Sequence, residues 1–353
     1  MLAYAVISLS VIFLFYASLS GPTRTNVREV RSGLVARCPN SSYPWTKVKY
    51  RTGVKLRLAV IADLDTDSRL EEGVDKWSSF LKTGSLELSR DRRGVSVTWE
   101  EEEVRLESSL GAGGRGMELS ELSVFSGRLL SLDDRTGVVY SIVRDTVVPW
   151  VILADGAGAS VKGFKGEWST VKGDKLIVGG LGKEWTTQTG DIVNHDPMWV
   201  KEISCDGGVR HLDWRAHYLA VRASAGITWP GYMIHEAVCW TEVRREWVFL
   251  PRRMSEEKYN DVTDERMGAN TLIIASEDFS SIRQLSVGER VPSHGFSSCK
   301  FVPGTDDELM VALKSEEVEG RVATYIMAFT TGGEVVMAEE KIGDRKFEGI
   351  EFI

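Results

Sequence analysis

Five oxygen-bearing residues recur along the chain: Ser120, Glu167, Glu236, Ser297 and Glu348, at spacings of 47, 69, 61 and 51 residues. They sit in short related segments, Gly116-Met-Glu-Leu-Ser120, Gly163-Phe-Lys-Gly-Glu167, Ile234-His-Glu236, Gly295-Phe-Ser297 and Lys346-Phe-Glu348. Each is followed by an apolar run, so the set reads as a degenerate repeat of about 50 to 60 residues. If the repeats close into a ring, the recurring residues converge on its axis. Three carboxylates in one narrow channel repel one another unless a cation sits among them. An all-oxygen donor set suits calcium, which takes six to eight such ligands, whereas magnesium needs a tighter octahedron and zinc prefers nitrogen or sulfur. The competing reading is a row of solvated strand-start residues.

Clusters of both charge signs accompany this set: Asp63, Asp65 and Asp67; Asp133-Asp134-Arg135; Lys183-Glu184; Arg252-Arg253; and Lys314-Ser-Glu316-Glu317. Several directly follow apolar strands, where a strand end meets the mouth of a channel. Acids and bases around a hard cation fit hydrolysis of phosphate esters or phosphoanhydrides. Arg, Lys and the cation neutralise phosphate charge, and a carboxylate orients or deprotonates water. The reading assigns Asp63, Asp65 and Asp134 to water activation. It assigns Arg135, Lys183, Arg252, Lys314 and Glu316 to the substrate.

Other motifs fail on their context. Gly111-Ala-Gly113-Gly-Arg-Gly116 fits G-x-G-x-x-G, but a hairpin follows where a helix is required. Asp63-Leu-Asp65-Thr-Asp67 begins like a calcium loop, yet Ser68 and Val74 occupy the positions that need Gly and Glu. His235-Glu236 lacks a second histidine at zincin spacing. Positions such as Trp99, Trp168, Trp240 and Trp247, beside strand ends, suit packing between sheets better than sugar binding.

The elements that would position these residues are short β-runs punctuated by turns every 8 to 12 residues or so, with almost no sustained helical period after residue 55. Hairpins read at Leu122–Phe125 with Arg128–Leu132, Ser169–Val171 with Lys175–Val178, Ala237–Val243 with Glu246–Leu250, and Ser298–Val302 with Glu308–Leu313. The fold class is all-β, a five-bladed propeller with a central calcium site. The last repeat, Lys346 to Ile353, ends after one strand, and Lys55–Ile61, Ser85–Leu88 and Val95–Trp99 can complete its blade. A plain sandwich would leave the recurring residues unexplained.

The chain has 353 residues, 43 basic and 51 acidic side chains, and a formal charge of −8. That balance argues against bulk nucleic-acid binding, which favours a basic surplus. Its 34 glycines agree with many tight turns. Residues 2–19 carry no charge, and fit a signal peptide cleaved before Gly21 or an uncleaved type II membrane anchor. Either delivers the rest to the secretory lumen or the cell exterior. Asn40-Ser41-Ser42 is a glycosylation sequon. Residues 21–54 read as a polar stalk, and 55–353 as the propeller domain. Cys38, Cys205, Cys239 and Cys299 form no C-x-x-C; Cys38 in the stalk offers a thiol that could join two chains as a homodimer.

Ile61–Ser68, Gly114–Ser120, Ser131–Tyr140, Gly179–Thr187, Phe249–Arg253, Ser293–Ser298, Val311–Glu317 and Phe347–Ile353 together resemble the soluble calcium-activated nucleotidase (apyrase) family. The likeness runs from about residue 55 to the C-terminus. It implies a five-bladed propeller with one calcium ion, held by Ser120, Glu167, Glu236, Ser297 and Glu348. It also implies hydrolysis of nucleoside di- and triphosphates (UDP, GDP, ADP, ATP) at the terminal phosphoanhydride, in the Golgi or endoplasmic-reticulum lumen or after secretion. A non-catalytic, calcium-stabilised lectin-like propeller is the alternative.

Overall fold

A computed structural model describes residues 47–50, 53–71 and 73–353. The apolar N-terminal run, the Asn40 sequon, Cys38 and nearly all of the expected stalk lie outside the described residues. No helix among the described residues is long and apolar enough to cross a membrane.

Four antiparallel sheets follow one another along the chain. The first blade is Leu119–Phe125, Arg128–Asp133, Val138–Val143 and Thr146–Ile152. The second is Trp168–Lys172, Lys175–Gly179, Trp199–Ile203 and Val209–Asp213. The third is Tyr232–Thr241, Glu246–Ser255, Thr271–Ser276 and Ile282–Ser286. The fourth is His294–Phe301, Leu309–Val318, Arg321–Thr330 and Val335–Gly343. The fifth joins distant parts of the chain: Phe347–Phe352 pairs with Gly53–Ala62, followed by Trp77–Ser89 and Val95–Ser108. The first strands of blades one to four and Phe347–Phe352 touch in a closed ring. The fold is the expected five-bladed β-propeller, closed as the truncated last repeat required.

Inner strands are packed on both faces by neighbouring blades, so they read as unbroken apolar runs and not as alternation. Every residue of Tyr232–Thr241 is buried. Between the second and third blades, Trp168, Trp240 and Trp247 are buried in one cluster, which is the packing role expected for them. Closure is tight on the inside. A Cβ on Gly349 would lie 2.5 Å from the backbone of Glu121 and Leu122, so only glycine lets the closing strand approach the first blade.

Two α-helical elements among the described residues depart from the all-β expectation, the shorter being the single turn Asp261–Asp264. Arg215–Ser224 is an α-helix between the second and third blades. Trp214, Tyr218 and Val221, spaced at i, i+4 and i+7, bury themselves against Trp168 and Met198 of the second blade. Cys239 and Cys299 are free buried thiols, and Cys205 is disulfide-bonded.

Ile350 is fully buried in the closing strand. Ile350→Ala should therefore cost about 2–5 kcal/mol, read from the midpoint of urea unfolding. A cost under about 1 kcal/mol would mean that this strand does not hold the ring shut.

Candidate functional site

A local irregularity repeats in the inner strands. In the first blade Leu119 pairs with Asp133 and Glu121 with Leu132, which leaves Ser120 without a cross-strand partner. Glu236 is skipped between His235 and Ala237, Ser297 between Phe296 and Ser298, and Glu348 between Phe347 and Gly349. Such an extra residue turns the side chain away from the regular alternation. Glu167 stands one residue ahead of Trp168, its N–H bonded to the Gly179 carbonyl at 2.8 Å. Thus four of the five recurring residues sit at a register irregularity of an inner strand, Glu167 immediately precedes such a strand, and all five are buried.

Their surroundings are those of crowded like charges. Burial first, and then the Glu236 and Asp134 carboxylates, push Glu167 up to about 8 against the pull of Lys165. Burial likewise drives Glu348 well above the usual carboxylate range, with Asp63 and Glu236 adding to it. Three cations answer these charges. Lys165 pairs with Glu167 at 2.8 Å and with Asp134. Arg252, itself skipped in the register of the second strand, bridges Glu236, Glu317 and Glu348, the last at 2.8 Å. Lys346 reaches Asp63 at 2.8 Å, Asp65 at 2.5 Å and Glu317 at 3.2 Å.

The donor set fits a hard cation. It is all oxygen, and the buried Ser297 hydroxyl has no hydrogen-bond partner, a costly state for a hydroxyl that nothing else satisfies. The Ser120 hydroxyl donates to the Gly166 carbonyl at 2.6 Å, leaving its lone pairs available. A second carboxylate group lies nearby: Asp63, Asp65 and Glu118 bring one oxygen each within 4.8 Å. Arg115 already bridges Glu118 at 2.5 Å and Asp65 at 3.3 Å.

A cleft of about 630 Å³ opens beside the ring, lined by Glu167, Glu236 and Glu348 and by Asp63, Asp65, Lys183 and Arg252 among others. A neighbouring cavity of about 850 Å³ shares Asp63, Asp65 and Lys346 with it. Asp65 has a left-handed backbone (φ 48°), which turns its N–H onto the Asp63 carboxylate at 2.8 Å. The two acids differ. Lys346 outweighs burial and holds Asp63 below its ordinary value, whereas burial and the Asp63 charge push Asp65 up.

The remaining expected residues are distributed around this centre. Asp134 is buried and reaches the cleft through Lys165, while Arg135 lies 3.9 Å from Glu118. Lys314 and Glu316 are not brought to the cleft lining. Lys314 pairs with Glu339 beneath the Phe296 ring, and Glu316 accepts from the Tyr325 hydroxyl at 2.9 Å. Their neighbour Glu317 lines the cleft instead. Sequence reasoning assigned no role to Lys165, Glu317, Lys346, Trp185, Tyr259 and Asp264, which line the cleft. Two had a visible signal, because Lys165 and Lys346 each stand two residues before a recurring glutamate.

A family profile described as Apyrase matches residues 64–353. The chain belongs to the apyrase family. It is 54% identical over 316 residues to soluble calcium-activated nucleotidase 1 of Rattus norvegicus, covering 89% of this chain and 78% of the rat protein. It is 48% identical over 309 residues to apyrase apy-1 of Caenorhabditis elegans, covering 86% of each. To an apyrase of Cimex lectularius the identity is 43% over 317 residues, covering 89% and 87%. The matched region takes in all five recurring residues.

Arg252 is the cation that bridges two buried carboxylates, Glu236 and Glu348, and the half-buried Glu317. Arg252→Met should destabilise the metal-free protein by about 3–5 kcal/mol, since it strands charge in the interior. Chelator-treated protein in urea reads this directly. A loss below about 1 kcal/mol would mean that Glu236, Glu317 and Glu348 are neutralised without it.

Proposed function

We propose that the protein is a calcium-dependent hydrolase of nucleoside di- and triphosphates, releasing inorganic phosphate. The observation that carries this reading is a cleft of mixed charge lined by the three buried glutamates Glu167, Glu236 and Glu348, with Ser120 and Ser297 buried at the corresponding places of the other two inner strands. The names of its relatives support the reaction class. Ser120, Glu167, Glu236, Ser297 and Glu348 would hold the ion. When bound, calcium supplies a fixed charge of +2 that offsets charge on the phosphate oxygens.

The side chains account for the rest. Lys183 faces the cleft as a cation for the substrate phosphates, with Arg252 and, farther out, Arg135 adding to the positive field. Asp65, pushed up by burial and by Asp63, is suited to take a proton from water as that water attacks the terminal phosphorus. The bridging P–O bond breaks, and the shorter nucleotide leaves with the electron pair. Asp63, kept ionised by Lys346, orients Asp65 through its backbone N–H; Asp134 fixes Lys165 at the edge of the ring. Lys314 and Glu316 support the fourth blade from outside the cleft and are the weakest members of the expected set.

The uncharged run 2–19 and the Asn40 sequon support a place in the secretory lumen or outside the cell, with residues 21–54 as a stalk. Membrane anchoring and a homodimer belong to the same reading.

Phosphate release from UDP, GDP, ADP, ATP and AMP tests the proposal, run with calcium, with magnesium and with chelator. Release from di- and triphosphates with calcium alone is expected, and Glu236→Gln should abolish both calcium binding and turnover. Asp65→Asn should keep calcium binding but lower kcat by about 10²–10⁴-fold. No release under any condition, with calcium still raising Tm, would leave a binding propeller.

Ionisation of Lys183 gives a further check. Burial lowers it to about 8, with Arg222 adding to this and Asp264, Glu184 and Asp261 opposing it. A neutral amine no longer attracts phosphate, so KM should rise as pH passes about 8, and Lys183→Arg should flatten the rise. A wild-type KM constant between about pH 7 and 10 would remove Lys183 from the substrate site.

A further inference from the structure

We infer that Arg222, on the helix Arg215–Ser224, is a positioning residue that sets Lys183 in the cleft through Glu184. The inference rests on the reading of the cleft as a phosphate site. Lys183 differs from the cations around it. Lys165, Arg252 and Lys346 are each paired with two or more carboxylates, and none of the ion pairs found among the described residues includes Lys183. Its Nζ instead donates to the Glu184 carbonyl at 2.9 Å and to Thr186 Oγ1 at 3.1 Å, and lies 4.2 Å over the Tyr259 ring. All three contacts are neutral and the carboxylates of Asp264, Glu184 and Asp261 act on it without forming an ion pair, so its charge remains available to an incoming anion.

A lysine has a long flexible stem, and such a side chain presents a charge at a fixed point only if its backbone is held. The loop carrying it is pinned on three sides. His235 N–H donates to the Leu181 carbonyl at 3.0 Å, and Gly182 N–H to the Pro197 carbonyl at 3.1 Å. At Gly182 the backbone is left-handed, and a Cβ would lie 2.5 Å from the Tyr218 ring and 2.7 Å from His235. The third pin is the Glu184 side chain. Arg222 Nη1 and Nη2 meet its two oxygens at 2.9 and 3.2 Å, fork to fork, with both residues buried. This two-point grip fixes orientation as well as distance. It holds Glu184 below the ordinary carboxylate value although burial works to raise it.

Neither Arg222 nor Glu184 lines the cleft. Their effect on an anion there passes through the peptide unit whose carbonyl receives the Lys183 amine. The inserted helix thereby has a role in the site: its buried face seats it against the second blade, and Arg222, one position on from Val221, reaches the loop.

The test compares wild type, Arg222→Met, Arg222→Lys and the double variant Arg222→Met/Glu184→Leu, in which an apolar pair replaces the buried ions and preserves packing. One readout is acetic anhydride labelling of Lys183, mapped by mass spectrometry against Lys201, a buried lysine of the same blade. The other is KM against kcat for a nucleoside diphosphate with calcium. Loosening a charge-assisted contact of this kind predicts a rise of about tenfold in Lys183 labelling and in KM for Arg222→Met, with kcat within about twofold. Arg222→Lys should restore part of both. The double variant should keep a Tm near wild type and still show the higher KM, so it carries the test if Arg222→Met does not fold. An unchanged labelling ratio and KM in a folded variant, whatever its Tm, would overturn the inference. If wild type releases no phosphate, the proposed reaction fails while the labelling ratio still decides the role of Arg222.

Discussion

Like charges held together out of water are the constraint on which this structure turns. Glu167, Glu236 and Glu348 are buried at the starts of three inner strands, where two carboxylates about 4 Å apart repel by roughly 4 kcal/mol at the effective dielectric of a protein. The surrounding fold answers that repulsion with Lys165, Arg252 and Lys346, each shared between at least two acids. Because the cations are shared, the acids of the cleft wall and of the ring are electrostatically one system. A change in charge at any member is felt by the others.

A propeller is suited to holding such a system. Each inner strand has both faces packed by neighbours, and the ring is closed by Phe347–Phe352 on Gly53–Ala62. The strand starts therefore cannot drift apart to relieve repulsion. The repeated register shift at Ser120, Glu236, Ser297 and Glu348 turns a side chain inward in four blades without disturbing the apolar packing beyond it. Packing and site are thus assigned to different stretches of the same strands.

Much of this was legible in the sequence for a physical reason. Strands buried on both faces become apolar runs, and a ring of blades repeats its entry segment, so Ser120, Glu167, Glu236, Ser297 and Glu348 could be picked out by the short Gly-, His- or Lys-led segment before each run. The closing strand was legible because one strand cannot satisfy its own edges. The bulges were not, since a bulge residue looks like any other in a run. Lys346 and Lys165 went unassigned although each precedes a recurring glutamate by two positions. The helix at Arg215–Ser224 was missed although Trp214, Tyr218 and Val221 carry its period; ten residues of that pattern are swamped by the surrounding strands. Lys314 was selected for its charge beside an apolar strand, but pleating sends it to Glu339 and sends Glu317 into the cleft. A one-residue difference of face is beyond composition or spacing to decide.

The central claim is that the ring of strand starts, and not the neighbouring group of Asp63, Asp65 and Glu118, is the cation site. Both groups are oxygen-rich and both already carry cations, Arg115 on Glu118 and Asp65 and Lys165 and Arg252 on the ring glutamates; the ring adds a buried hydroxyl, that of Ser297, which lacks a partner. The most direct measurement is anomalous diffraction from crystals of the protein grown with calcium. The account predicts one strong peak among Ser120, Glu167, Glu236, Ser297 and Glu348. A peak between Asp63, Asp65 and Glu118, with none among the five strand starts, would contradict it.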